Sequence, residues 1–166
     1  MLEIEEYASS GEIADESMTL PFELRKKSRM RAILDSGAEA AVVLERGRIL
    51  RSGDLLRASN GSIVEVRAAA EAVSTVRSRD ILSLMRGAYH LGNRHVPLQV
   101  GDGFLRYQRD HVLDDMVRQL GLEVAAEMAP FEPEPGAYGG GHGHSDGHGH
   151  SHSHGAHAHH HPHDHE

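Results

Sequence analysis

The sequence predicts an α+β protein in three parts: an all-β N-terminal domain over residues 1–70, an α+β domain over 71–135, and a disordered histidine-rich tail over 136–166. Three observations carry this reading. Residues 1–70 place short apolar runs between turn signals about every ten residues, the rhythm of a compact sandwich or small barrel. From Ile81 the apolar positions switch to helical spacing. From Gly141 the chain reads GHGHSDGHGHSHSHGAHAHHHPHDHE, with no lysine, no arginine and no hydrophobe larger than alanine. Nothing in such a segment offsets the entropy of ordering its backbone.

In the first part the turn signals are Ser36-Gly37, Arg46-Gly47, Ser52-Gly53 and Asn60-Gly61. The clearest hairpin runs from Asp54 to Ser59, turns at Asn60-Gly61 and returns through Ser62 to Arg67. Asn-Gly favours the positive φ angles of a two-residue type I′ turn. Val64 and Val66 share one face of the second arm, with Ile63 and Glu65 on the other. The basic run Arg25-Lys26-Lys27, with Arg29 and Arg31, reads as a solvated face.

The second part opens with a strand over Ala72 to Arg77. A helix follows, its stripe formed by Ile81, Leu84, Met85, Ala88 and Leu91. Ser78 or Asp80 caps its start, and Gly92 offers a left-handed stop. Val96–Val100 and Phe104–Gln108 are strands around the turn Gly101-Asp102-Gly103, with Pro97 at an edge or a strand start. Asp110 caps a second helix with Val112, Leu113, Met116, Val117 and Leu120 as its stripe. Asp114 and Asp115 suit its positive end, Arg118 its last turn, and Gly121 terminates it. Leu122 to Met128 is the final strand. The order β-α-β-β-α-β is the split ferredoxin-like arrangement. Ala129 to Gly141, APFEPEPGAYGGG, is a linker.

Composition narrows the function. A net charge of −8 argues against a nucleic-acid partner, because phosphate neutralisation needs a surplus of lysine and arginine. The absence of cysteine removes thiolate metal sites, catalytic cysteines and disulfides together. The N-terminus MLEIEEYASS has no apolar core of a signal peptide, and the longest apolar stretch, Ala40 to Leu44, is far short of a membrane span. A cytosolic protein that does not enter a membrane is expected. No phosphate loop, His-Glu-x-x-His or nucleophile elbow is present, so no enzyme is expected.

Histidine is the chemistry this chain does carry. Of its 15 histidines, twelve lie in the tail: His142, His144, His148, His150, His152, His154, His157, His159, His160, His161, His163 and His165. A purification tag is usually an unbroken run, whereas the longest run here is His159-His160-His161. Neutral imidazole is the commonest protein metal ligand, so the tail points to metal handling. The thiol-free set of nitrogen and oxygen ligands suits Ni(II), Cu(II) or Zn(II) and not Cu(I). Outside the tail, His111 falls at the first position of a helix, where the dipole disfavours imidazolium and keeps the ring open to metal. His90, near a helix C-terminus, reads as structural. His95 lies in the irregular Gly92-Asn93-Arg94-His95 stretch, where a lone histidine is more often merely exposed than a ligand.

Four stretches then carry a resemblance: Tyr89 to Gln99 (YHLGNRHVPLQ), Arg106-Tyr107, Asp110 to Met116 (DHVLDDM), and Pro130 to Glu134 with Gly136-Ala137-Tyr138. They are similar to the urease accessory protein UreE, a family of nickel metallochaperones. The likeness spans essentially the whole chain and is strongest over 89–138. It implies a homodimer with a peptide-binding-like β domain and a ferredoxin-like metal-binding domain. It also implies that His95 is the central ligand, paired across the two-fold so that two chains share one metal, with tail histidines completing the shell. His111 matches a peripheral ligand of some members, but Arg109 stands where those members carry a second histidine. Ni(II) would be the cargo, with Zn(II) and Cu(II) compatible with the same ligands. The implied recipient is apo-urease with its accessory proteins, including the accessory GTPase. The competing reading is a tail that stores nickel or zinc without delivering it.

Overall fold

The computed structural model describes residues 1–136, so the twelve tail histidines and the expected tail disorder lie outside the described residues. The first part builds six strands: β1 (Leu2–Tyr7), β2 (Glu16–Leu20), β3 (Arg29–Ile33), β4 (Glu39–Val43), β5 (Leu55–Ala58) and β6 (Ile63–Ala68). They form one sheet in the order β2-β6-β5-β1-β4-β3, with β1 parallel to β4 and β2 parallel to β6. Alternation sends Ile4, Met18, Val42, Leu56, Val64 and Val66 into a core where each is 0% exposed. The two edge strands meet at Asp35, whose N–H donates to the Ser17 carbonyl at 2.8 Å. Its carboxylate accepts from Ser17 Oγ at 2.6 Å and from the Thr19 N–H at 3.1 Å. Those hydrogen bonds, Ser17 first, hold the Asp35 carboxyl below the usual range.

Two features of this part differ from the sequence reading. The hairpin forms, but its loop is Ser59-Asn60-Gly61, and only Gly61 takes a positive φ, 88°. The Gly61 N–H donates to the Ala58 carbonyl at 2.8 Å, and the Asn60 side chain accepts from the Ser62 N–H at 3.0 Å. Asn60 therefore stays out of the left-handed region, and the turn is type I followed by a left-handed glycine, not type I′. The all-β expectation also misses α1 (Phe22–Arg25). Pro21 pre-sets the entry, and the Glu71 carboxylate accepts from the Phe22 N–H at 2.7 Å, so this single turn is held by tertiary contacts.

The second part follows in the order β7 (Ala70–Arg77), α2 (Ile81–Gly92), β8 (Gln99–Gly101), β9 (Phe104–Gln108), α3 (His111–Gln119) and β10 (Val124–Pro130). Its sheet is antiparallel with strand order β10-β7-β9-β8. Val76, Leu105 and Tyr107 of the sheet pack against Leu84 and Leu91 of α2 and Leu113 and Val117 of α3. Gly87 permits that approach, since a Cβ there would lie 3.0 Å from Leu122 Cδ1 and 3.2 Å from Leu105 Cδ1.

The α2 stripe is only half buried. Leu84 and Leu91 enter the core, whereas Ile81 and Met85 are 72% and 64% exposed, because the three-residue edge strand β8 leaves the outer flank of α2 uncovered. β8 starts at Gln99 and not at Val96, since Pro97 has no N–H for a ladder. β10 runs on to Pro130, which pairs with Ala70. Asp114 lies in the first turn of α3, as the sequence suggests, but it is also buried and accepts from the Tyr107 hydroxyl at 2.8 Å. Burial and that carboxylate push the Tyr107 hydroxyl pKa well up.

Asp110 does cap α3, accepting from the N–H groups of Val112 at 2.8 Å and Leu113 at 3.2 Å. Replacing Asp110 by alanine is expected to cost about 1 kcal/mol in urea unfolding, the usual worth of such a cap. An unchanged midpoint would mean that packing alone holds this helix end.

Phe22, Val73 and Phe131 form a small apolar cluster joining the two sheets, the Phe22 and Phe131 rings meeting edge-on at 5.4 Å. Beside it lies Arg25. The sequence places it in a solvated basic run, but it is 0% exposed. It donates to the carbonyls of Leu20 at 3.2 Å and Leu50 at 3.1 Å and to the Phe131 carbonyl, and it pairs with Glu132 at 3.2 Å.

Candidate metal centre

His95 follows α2 in a run of tight turns. The N–H groups of Asn93, Arg94 and His95 each donate at 3.0 Å, to the carbonyls of Tyr89, Leu91 and Gly92. These turns carry the chain beyond Gly92, which is the last residue of α2 and has no positive φ. The left-handed position falls on His95, at φ 55°, and among the described residues no other non-glycine residue adopts one. Val96 then precedes Pro97 and must leave extended, so the reversal is concentrated at His95. A left-handed conformation costs a non-glycine residue about 1–2 kcal/mol. Glycine at this position would relax the backbone, so His95 sits in a strained turn of the kind that clusters at functional sites.

The His95 side chain is exposed and lines a shallow depression of about 410 Å³ with Phe22, Pro97, Pro133 and Glu134. Gly136, the last described residue, lines it too. The root of the histidine tail is thus at the rim of the depression that holds His95. Five residues lie between Gly136 and His142, so the Cα of the first tail histidine can be at most about 22 Å from that of Gly136.

His111 is exposed at the first position of α3. The register pairs Gln99 with Arg106 and Val73 with Gln108, so the His95 loop and the start of α3 lie at the same end of the sheet. Among the described residues, however, no three His, Asp or Glu side chains converge into a group able to hold a metal. Gln108 is engaged with Glu71 at 3.5 Å, and Arg109 is exposed, so neither replaces the missing chelate partner of His111. His90 is exposed and meets the Tyr89 ring edge-on at 5.3 Å.

The sequence reading missed the support beneath His95. The Glu132 N–H donates to Gln99 Oε1 at 3.0 Å, and the Glu134 N–H donates to the Leu98 carbonyl at 2.8 Å. Residues 131–134 are thereby strapped onto the loop that follows His95. The linker-like composition of Phe131-Glu132-Pro133-Glu134 hid this, because nothing local marks an aperiodic segment as packed.

The described residues thus form a β unit buttressing an α+β unit, with the exposed imidazoles of His95 and His111 on its surface and no enzyme-like cluster of His, Asp or Glu around them. Models of the UreE urease accessory protein match this chain, the N-terminal domain over residues 4–69 and the C-terminal domain over 71–166. The chain belongs to the UreE urease accessory protein family, and its role is that of an accessory protein, not an enzyme. A urease accessory protein UreE of Alkalilimnicola ehrlichii is 64% identical over 140 residues, 84% of this chain and 86% of the relative. One from Pseudomonas putida is 63% identical over 123 residues, 74% of this chain and 76% of the relative. One from Cupriavidus necator is 58% identical over 123 residues, 74% of this chain and 64% of the relative. Among the described residues no helix is long and apolar enough to cross a membrane.

Proposed function

We propose that this chain is a cytoplasmic nickel metallochaperone that carries Ni(II) to apo-urease, working with the other urease accessory proteins, including the accessory GTPase. The observation that carries the reading is the pairing of a left-handed, exposed His95 with the root of a twelve-histidine tail at one depression. His95 alone is too few ligands, so the shell is completed by His95 of a second copy and by tail imidazoles. The uncovered flank of α2, with Ile81, Leu82, Met85 and Tyr89 each more than half exposed, supports that homodimer, because an apolar strip leading to His95 is costly to leave in water. The strand order of the second part supports a ferredoxin-like metal-binding domain over 71–135, beside a β domain over 1–70 and a tail over 136–166. Many near-equivalent imidazoles let the ion move between partial shells, so delivery need not wait for complete dissociation. The ligand chemistry admits Zn(II) and Cu(II) as well, and membership of a urease accessory family supports nickel as the cargo.

Calorimetric nickel titration of the full chain and of residues 1–136 tests this. Truncation is expected to remove several weaker ions per dimer while leaving one tighter site, the fold and the dimer. Lowering the pH should empty the tail first. With an ordinary imidazole pKa of about 6.5, roughly one ring in thirty is neutral at pH ~5, and a site needing several rings loses affinity multiplicatively. Occupancy that stays flat from pH 8 to pH 5 would mean that carboxylates hold the metal. A truncated protein that binds no nickel would reduce the function to storage in the tail.

A further inference from the structure

We infer that the segment Phe131–Glu134 is a positioning strap for the metal site, with Gln99 and Glu132 as the residues through which it acts. The inference rests on the reading of His95 as a metal ligand. The strap is anchored on one side by the β unit. The Phe131 carbonyl and the Glu132 carboxylate are both taken by the buried Arg25, and the Phe131 ring is 0% exposed. Glu132 Oε1 also accepts from the Ser52 N–H at 2.8 Å, and the Pro133 carbonyl accepts from Arg51 Nη1 at 2.6 Å. On its other side the strap grips the His95 loop, Glu132 N–H on Gln99 Oε1 at 3.0 Å and Glu134 N–H on the Leu98 carbonyl at 2.8 Å.

Two consequences follow from that geometry. First, His95 is a surface residue whose own turn supplies only local hydrogen bonds, and a left-handed residue relaxes unless its surroundings hold it. The strap clamps the chain three and four residues downstream, at Leu98 and Gln99, and limits that relaxation. Second, the strap runs directly into Gly136, so the same anchors set where the histidine tail begins. The β unit thus reaches the metal site through six hydrogen bonds on one aperiodic segment, four to the β unit and two to the His95 loop, although it contributes no ligand. A ligand held from outside binds its ion more tightly because less ordering remains to be done on binding.

The test uses the full chain and Ni(II). Gln99→Ala removes the acceptor for the Glu132 N–H, and Gln99→Glu restores one. Gln99→Ala is expected to weaken the tight nickel site about tenfold, the lower end for groups that hold a ligand from outside. Its Ni(II) absorption bands should shift, while the number of weaker ions bound by the tail and the thermal midpoint change little. Gln99→Glu should recover the wild-type affinity and bands. A tight site within twofold of wild type in Gln99→Ala overturns the inference. So does a loss that Gln99→Glu fails to restore, or one that appears only with a fall in thermal midpoint, since each assigns the strap a purely structural part. His95→Ala, titrated alongside, separates the two levels. If that variant keeps the tight site, the ligand reading falls and the strap with it. If it loses the site while Gln99→Ala keeps it, the strap alone is wrong.

Discussion

If His95 is the shared ligand proposed above, replacing it by glycine is expected to abolish tight nickel binding while leaving the protein as stable as before, or slightly more so. In a two-fold dimer one substitution removes both ligands of a shared site at once, so affinity drops far more than loss of one imidazole would suggest. The backbone effect runs the other way. At φ 55° a side chain is strained and glycine is not, so His95→Gly recovers about 1 kcal/mol per chain. Alanine removes the imidazole and keeps the strain, and should sit below glycine in stability by about that amount. Nickel titration and urea unfolding of the two variants measure both quantities. Loss of metal together with gain of stability is a signature that a structural histidine cannot produce. His111→Ala should change the tight site little, since Arg109 offers it no chelate partner. If His95→Gly binds one nickel per dimer at wild-type affinity, the central ligand lies elsewhere.

Arg25→Met is expected to destabilise the protein by about 3–5 kcal/mol, the usual cost of removing one partner from a buried ion pair. Arg25 lies among the carbonyls of Leu20, Leu50 and Phe131, and Glu132, 30% exposed, is its ionic partner. Burial, and to a lesser degree the nearby Arg51, lower the guanidinium pKa, and Glu132 and Glu71 work against that shift. Methionine fills much of the volume but leaves those carbonyls without their donor and the carboxylate without its cation. Against a total stability of about 5–15 kcal/mol, that is a large share, and the denaturant midpoint should move accordingly. Lys26→Met is the control. Lys26 pairs with Glu23 at 2.7 Å, but both side chains are well exposed, so its loss should cost well under 1 kcal/mol. Equal effects from the two neighbours would mean that the buried network at the junction contributes little.

These two residues also show how far the sequence reading reaches. Secondary structure in the second part was legible because each element carries its own local signal. Periodicity marked α2 and α3, Asp80 and Asp110 capped them as expected, and Gly121 took the left-handed stop at φ 82°. The spacing of apolar residues and turn signals also located the β5–β6 hairpin. Where a signal depends on two or three residues competing, the local reading slipped. Gly92 had the right chemistry for a helix stop, yet two further turns beyond it carried the reversal to His95. Asn60 favoured a positive φ, yet its own side chain captured the Ser62 N–H and held it elsewhere.

By itself, the sequence determined the α+β order of elements, the thiol-free, histidine-rich ligand chemistry, the exclusion of a strongly basic nucleic-acid binder, and the likeness to UreE. All of these are properties of composition or short-range spacing, which the chain carries whether folded or not. Only the tertiary structure decided that Arg25 is buried among carbonyls 25 and 106 residues away, that Asp114 faces Tyr107 and not solvent, and that the root of the histidine tail is strapped beside His95. Those outcomes depend on which distant backbone groups end up without water and need a partner. Nothing in residues 25–31 or 129–136 read alone announces such a need, because the unsatisfied groups belong to other parts of the chain.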